Sequence, residues 1–202
     1  IVSGLSNTEI GVRMDAIELL GNMKVRSAVD TLIPLLDETT TRNPVVNALW
    51  QIGDAKVIPH VIPLLQTNQE DTIKVSRKLL LSFKEEATLP ILKHLDQGDT
   101  TFKQHLIEIL GNIADKRAIE PLANFYPTAE AELRPVIRNT LHRVQSADSI
   151  AIIITLLKHE NAVVQALMID TLGKIGRPAI DPLIEILCGS DATYASTAGR
   201  AL

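Results

Sequence analysis

The chain has 202 residues, of which 46% are hydrophobic and 22% charged, with a net charge of −4. That length and balance exclude a disordered chain and allow one sizeable core or one continuous array. The acidic balance speaks against a general nucleic-acid binder, and aromatics at only 3% suit close helix–helix contact better than a sandwich or barrel. Cys188 is the only cysteine, which leaves no intramolecular disulfide or cysteine zinc site and fits a reducing, cytoplasmic setting. The longest apolar run, Ile150 to Leu157, is too short to cross a bilayer, so no direct membrane insertion is expected.

Reading along the chain, one pattern returns about every 30 residues. In the first repeat, Arg13, Ile17, Leu20 and Met23 share a helical face, and a second helix follows through Ala28. Later repeats place Leu49, Leu80, Leu110, Leu141 and Leu172 in the column of Leu20, an unbroken leucine series. Ile52, Phe83, Ile113, Val144 and Ile175 continue the column of Met23 and close each first helix. The column of Ala28 continues at Val57, Ala87, Ala118, Ser149 and Ala179 in each second helix. Two registers holding one period over six repeats predict an all-α solenoid of about six helical hairpins, each covering its neighbour.

Proline marks the second helices. Pro34 and Pro63 lie deep enough to bend or loosen theirs, whereas Pro121 and Pro182 are expected in the first turn, where a missing N–H costs little. Short polar stretches such as Asp37 to Thr40 and Gln97 to Asp99 carry turn and N-cap chemistry between repeats. Glu9, Glu38, Gln69, Asp99, Glu130 and Asn161 open the first helices, with Arg13, Arg42, Ile73, Lys103, Arg134 and Gln165 one turn later. Acids there face open N–H groups and the positive end of the helix dipole, and the basic residues can bridge to acids of the same or the next repeat. Asp191 to Leu202 begins a seventh repeat. The chain lacks an initiator Met and begins and ends inside repeats, so residues 1–202 are expected to be one array drawn from a longer protein.

The segments Leu110 to Leu122 (LGNIADKRAIEPL) and Thr171 to Leu187 (TLGKIGRPAIDPLIEIL) resemble the short HEAT-like repeat, typified by bacterial and archaeal proteins that include the phycobilin lyase subunits. The resemblance spans essentially the whole chain and implies a right-handed α-α superhelix. It also implies that the first helix of each repeat lines the concave side. The groove-facing columns are then Glu18, Asn47, Lys78, Glu108, Asn139 and Asp170, and beside them Asn22, Gln51, Ser82, Asn112, Arg143 and Lys174. Met14, Val75, Val136 and Leu167 fall near the same face and would mix apolar with polar contacts. Trp50 stands where Gly21, Gly111 and Gly173 stand in other repeats. The glycines are read as close-packing positions. The ring either packs into the core, the preferred placement, or turns outward as a partner anchor.

No chemistry-bearing motif emerges. No two of the five histidines share a helical face at metal-ligand spacing, and no nucleophile elbow or glycine-rich phosphate loop is present. The expectation is a non-enzymatic module without cofactor that binds a protein or peptide segment and no nucleic acid. The alternative that the resemblance permits is a phycobilin lyase-like subunit or assembly chaperone.

Overall fold

The computed structural model describes residues 2–188 and 192–201, and among these every regular element is helical. The chain divides into two compact units, Ile1–Lys93 and His94–Leu202. None of the helices among the described residues is long and apolar enough to cross a membrane.

The first unit holds three hairpins: α1 (Ile10–Asn22) with α2 (Val29–Leu32), α3 (Arg42–Ile52) with α4 (Ile58–Val61), and α5 (Glu70–Ser82) with α6 (Thr88–Leu92). The long helices stack in order, α1 on α3 and α3 on α5. Their leucine column, Leu20, Leu49 and Leu80, is buried, as is the column of Ala28, Val57 and Ala87 on the returning limbs. Small or β-branched residues in that second column let the limb settle close against the long helix. Met23 departs from its column: it is 61% exposed, while Ile52 and Phe83 are buried.

Pro34 and Pro63 act as expected, in a specific way. At each, the α-helix tightens into a 3₁₀ segment, Ile33–Asp37 after α2 and Ile62–Gln66 after α4. A proline at that point offers no N–H to the carbonyl four residues back and its ring crowds that carbonyl, so the ladder changes its spacing instead of continuing.

The second unit comprises α7 (Thr100–Ile113) with α8 (Ile119–Phe125), α9 (Leu133–Arg143) with α10 (Ala147–Thr155), α11 (Ala162–Ile175) with α12 (Arg177–Leu187), and then α13 (Ala192–Gly199). Here α7 packs on α9 and α9 on α11. Leu110, Leu141 and Leu172 are buried, and so are Ala118, Ser149 and Ala179. Asp99 caps α7 by accepting from the Phe102 N–H at 2.8 Å. The next residue past the helix, Ala114, ends it in the left-handed region at φ 56°. Pro121 lies in the first turn of α8 as expected. Pro182 does not lie in a first turn; it is inside α12. The cause is local: Gly176 at φ 69° and Pro178 start α12 early, where α8 is preceded by a separate 3₁₀ turn. The seventh repeat read at Asp191–Leu202 touches residues 191 and 202, which lie outside those described, as does Gly189.

The basic column has two uses. Arg13 bridges to Glu38 of the next hairpin, and Lys103 to Glu130 at 2.8 Å. Arg42 instead donates to the Leu36 carbonyl at 2.7 Å, Arg134 to the Ala129 and Pro127 carbonyls, and Gln165 to the His159 carbonyl at 2.8 Å. Each of these three satisfies carbonyls left open where the preceding hairpin ends. That explains why an uncharged glutamine serves at 165: the job there is hydrogen bonding, not charge pairing.

Candidate functional site

In the first unit the helices bring Glu18 and Asn22 (α1), Asn47, Trp50 and Gln51 (α3), and Lys78 and Ser82 (α5) to the surface, with Gln51 half-buried. Met14, Glu18, Pro44, Asn47, Trp50 and Gln51 line a cleft of about 390 Å³ between α1 and α3. Gln51 Nε2 donates to Asn22 Oδ1 at 3.1 Å, tying the two helices at its edge. Ser82 donates to the Leu79 carbonyl of its own helix at 2.6 Å.

Trp50 is 38% exposed, so packing in the core is not where the ring goes. The equivalent Gly21 stands against the next long helix. A Cβ built there would come within 2.7 Å of Ala48 Cα, so at the α1–α3 junction this position admits no side chain. The Trp50 indole, at the following junction, stays out of the core. It lies at the surface with Lys78 Nζ 3.8 Å from its ring centroid, a cation–π stack worth about 0.5–1 kcal/mol at such exposure. Gly111 meets Thr140 in the same close fashion, which bears out packing as the role of these two glycines.

In the second unit, Glu108 and Asn112 (α7), Asn139 and Arg143 (α9), and Asp170 and Lys174 (α11) again face outward or are half-buried. Arg143 Nη1 donates to Asn112 Oδ1 at 2.7 Å, the counterpart of the Gln51–Asn22 bond. Glu108 accepts from Gln104 Nε2 at 2.8 Å. Asp170 Oδ2 lies 3.4 Å from Arg138 Nε and 3.6 Å from His142 Nε2, and Arg138 donates to the Tyr126 hydroxyl at 2.8 Å. Burial pushes the His142 imidazole down, with Asp170 pulling the other way. Of the apolar residues expected beside these columns, Met14 is exposed and Val75 and Val136 are half-buried. Leu167 is not on that face; at 3% exposure it belongs to the core, because its position on α11 turns it inward with Met168.

Among the described residues, no group of three His, Cys, Asp or Glu side chains is placed to hold a metal ion. His159 is a structural tie: its Nδ1 accepts from the Asn161 N–H at 3.0 Å and its Nε2 pairs with Asn124 Oδ1 at 2.9 Å.

The hairpins, the buried leucine and alanine columns and the acid–base starts of the long helices coincide in the first unit with a known pattern, for the HEAT repeats family matches residues 1–81. Those residues are HEAT repeats. The same buried columns run on through the hairpins of the second unit. No curated protein matches the chain. Similar solved structures include an engineered protein at 18% identity and TM-score 0.46, covering 99% of this chain and 66%, just under two thirds, of that one. Another is the complex of CpcE and CpcF of phycocyanin lyase from Nostoc sp. PCC7120, at 18% identity and TM-score 0.47, covering 99% and 84%. A second engineered protein has 17% identity and TM-score 0.37, covering 100% and 93%. Likeness at this distance carries no residue role across.

Sequence reasoning missed one surface. Between α10 and α12 runs a groove of about 560 Å³, floored by Ala147, Ile150, Ala151 and Ile154 on one wall and Pro178 and Pro182 on the other. The signal was present: Ala147 and Ala151, and Pro178 and Pro182, are each four apart, so small residues face small rings along both helices and leave a trough.

Proposed function

We propose that this chain is a non-enzymatic binding module whose HEAT repeats hold a protein segment against the long helices of the first unit. The observation that carries the reading is Trp50. It lines the α1–α3 cleft and lies under Lys78 at once, so a large amphipathic ring is held in place beside carboxylate, amide and thioether groups. A ring fixed before binding spares a partner part of the ordering cost, and aromatic residues next to a pocket are the usual anchors of protein interfaces. Glu18, Asn47 and Gln51 supply hydrogen-bonding groups around it.

The test uses the chain as bait, with Trp50→Ala and Asn47→Lys variants in parallel, followed by calorimetry on the captured partner. Trp50→Ala should weaken binding by about 1–3 kcal/mol, while Glu120→Lys, at an exposed position on a short-limb helix of the other unit, should leave it unchanged. A partner lost on Glu120→Lys and retained on both first-unit variants would remove the cleft as the working surface.

A further inference from the structure

We infer that the α10–α12 groove is a second docking site, on the short-limb side of the second unit, for an amphipathic helix carrying lysine or arginine along its flank. None of its residues belongs to the Trp50 cleft, so the two readings stand or fall separately.

Shape comes first. On α10 the lining runs through Ala147, Ile150, Ala151 and Ile154, and on α12 through Pro178, Pro182 and Ile186. The first set stands at i, i+3, i+4 and i+7 and the second at i, i+4 and i+8, so each wall presents one continuous stripe. A stripe of that reach is about 10–12 Å long at the helical rise, which makes the groove a trough and not a pit. A trough walled by two helices, with small residues at its floor, accepts the apolar face of a third.

Polarity then selects the occupant. Glu185 is the one charged side chain among the described residues that line the groove. Thr155 gives its proton to the Ile152 carbonyl at 2.7 Å, and Gln145 turns its amide nitrogen onto the His142 carbonyl at 2.9 Å. Each therefore keeps an oxygen able to accept. Pro182 has no N–H for the carbonyl of Pro178 four residues back, and both prolines line the same wall. Beside the groove, α12 adds Asp181 and Arg177, and α10 adds Asp148, which Lys116 already neutralises at 2.6 Å. An apolar floor with acceptors and a carboxylate at its rim complements a segment that brings apolar side chains together with cationic donors. An acidic helix would meet Glu185 head-on.

Two labelled amphipathic helical peptides serve as probes. They share one leucine and isoleucine face and differ in having lysines or glutamates on the flanks. Fluorescence anisotropy on the full chain should show binding of the lysine peptide only. Ala151→Trp fills the trough from an exposed position, and Glu185→Lys reverses its charge; each should weaken the lysine peptide at least tenfold. Glu185→Lys should also narrow the gap between the two peptides, a change that a folding defect would not produce, and circular dichroism confirms that both variants fold. Equal binding of the two peptides, binding of neither, or lysine-peptide affinity unmoved by Ala151→Trp would overturn the proposal. So would a wild-type chain that self-associates in sedimentation and loses that association on Ala151→Trp, because the occupant would then be a second copy.

Discussion

Gly21 and Gly173 occupy the same column, and the structure assigns alanine opposite effects at the two. At Gly173 the nearest described atom to an added Cβ is the Ala201 carbonyl oxygen at 3.8 Å, ordinary contact. Gly173→Ala should therefore collect most of the helix-propensity difference and stabilise by about 0.5–1 kcal/mol. At Gly21 the same methyl would stand 2.7 Å from Ala48 Cα and 2.9 Å from Ala48 Cβ. Backbone cannot swing aside as a side-chain tip can, so α1 and α3 must separate along their whole contact. Overpacking of this kind costs about 1–3 kcal/mol, against a propensity gain of about 1 kcal/mol or less. Gly21→Ala should come out destabilising by about 1–2 kcal/mol. Urea melts of the two variants beside the wild type decide it, read from the midpoints at unchanged slope. If Gly21→Ala stabilises as much as Gly173→Ala, the close approach of the long helices is not what that glycine serves.

Three further outcomes follow from the same packing. Leu110→Ala removes a buried side chain from the leucine column and should cost about 2–5 kcal/mol in denaturant melts; a loss under about 1 kcal/mol would contradict its burial. Asp99→Ala deletes the bond to the Phe102 N–H and should cost about 1 kcal/mol, with Asp99→Asn retaining most of it. His142 has its pKa lowered in the folded chain, so the unfolded chain takes up the proton first. Its contribution is present above the ordinary histidine value and is lost as pH falls from about 6.5 towards the lower folded value. Melts across that window should show a shallower decline for His142→Gln, and an identical decline would refute the assignment.

The parts of this fold that could be read from residues alone are those fixed by periodicity. A leucine that recurs in one register must meet its counterparts on stacked helices, and Leu20 through Leu172 are all buried. Junctions were harder, because they depend on what the neighbouring helix presents. Trp50 shares a column with Gly21, yet only the structure shows the glycine packed against Ala48 and the ring at the surface. Pro182 aligns with Pro121, but Gly176 moves the helix start and leaves the later proline inside. Of the candidate residues, Glu18, Asn47, Trp50 and Gln51 gather around a cleft, while Ser82 on α5 lies outside it. Asp170 is drawn into contacts with Arg138 and His142 that no column spacing announces.

The tightened segments after α2 and α4 alter how far the chain travels per residue. A 3₁₀ residue advances about 2.0 Å and an α-helical one about 1.5 Å. Five residues, Ile33–Asp37 or Ile62–Gln66, thus gain about 2.5 Å over the same stretch wound as α-helix. The returning limb regains the start of the next long helix with one or two residues fewer than a full α-helix would use. Restoring an N–H at both positions, Pro34→Ala with Pro63→Ala, would shorten those limbs and pull on the loops at Glu38–Thr41 and Thr67–Gln69. A stretch of chain that had slack would then carry tension.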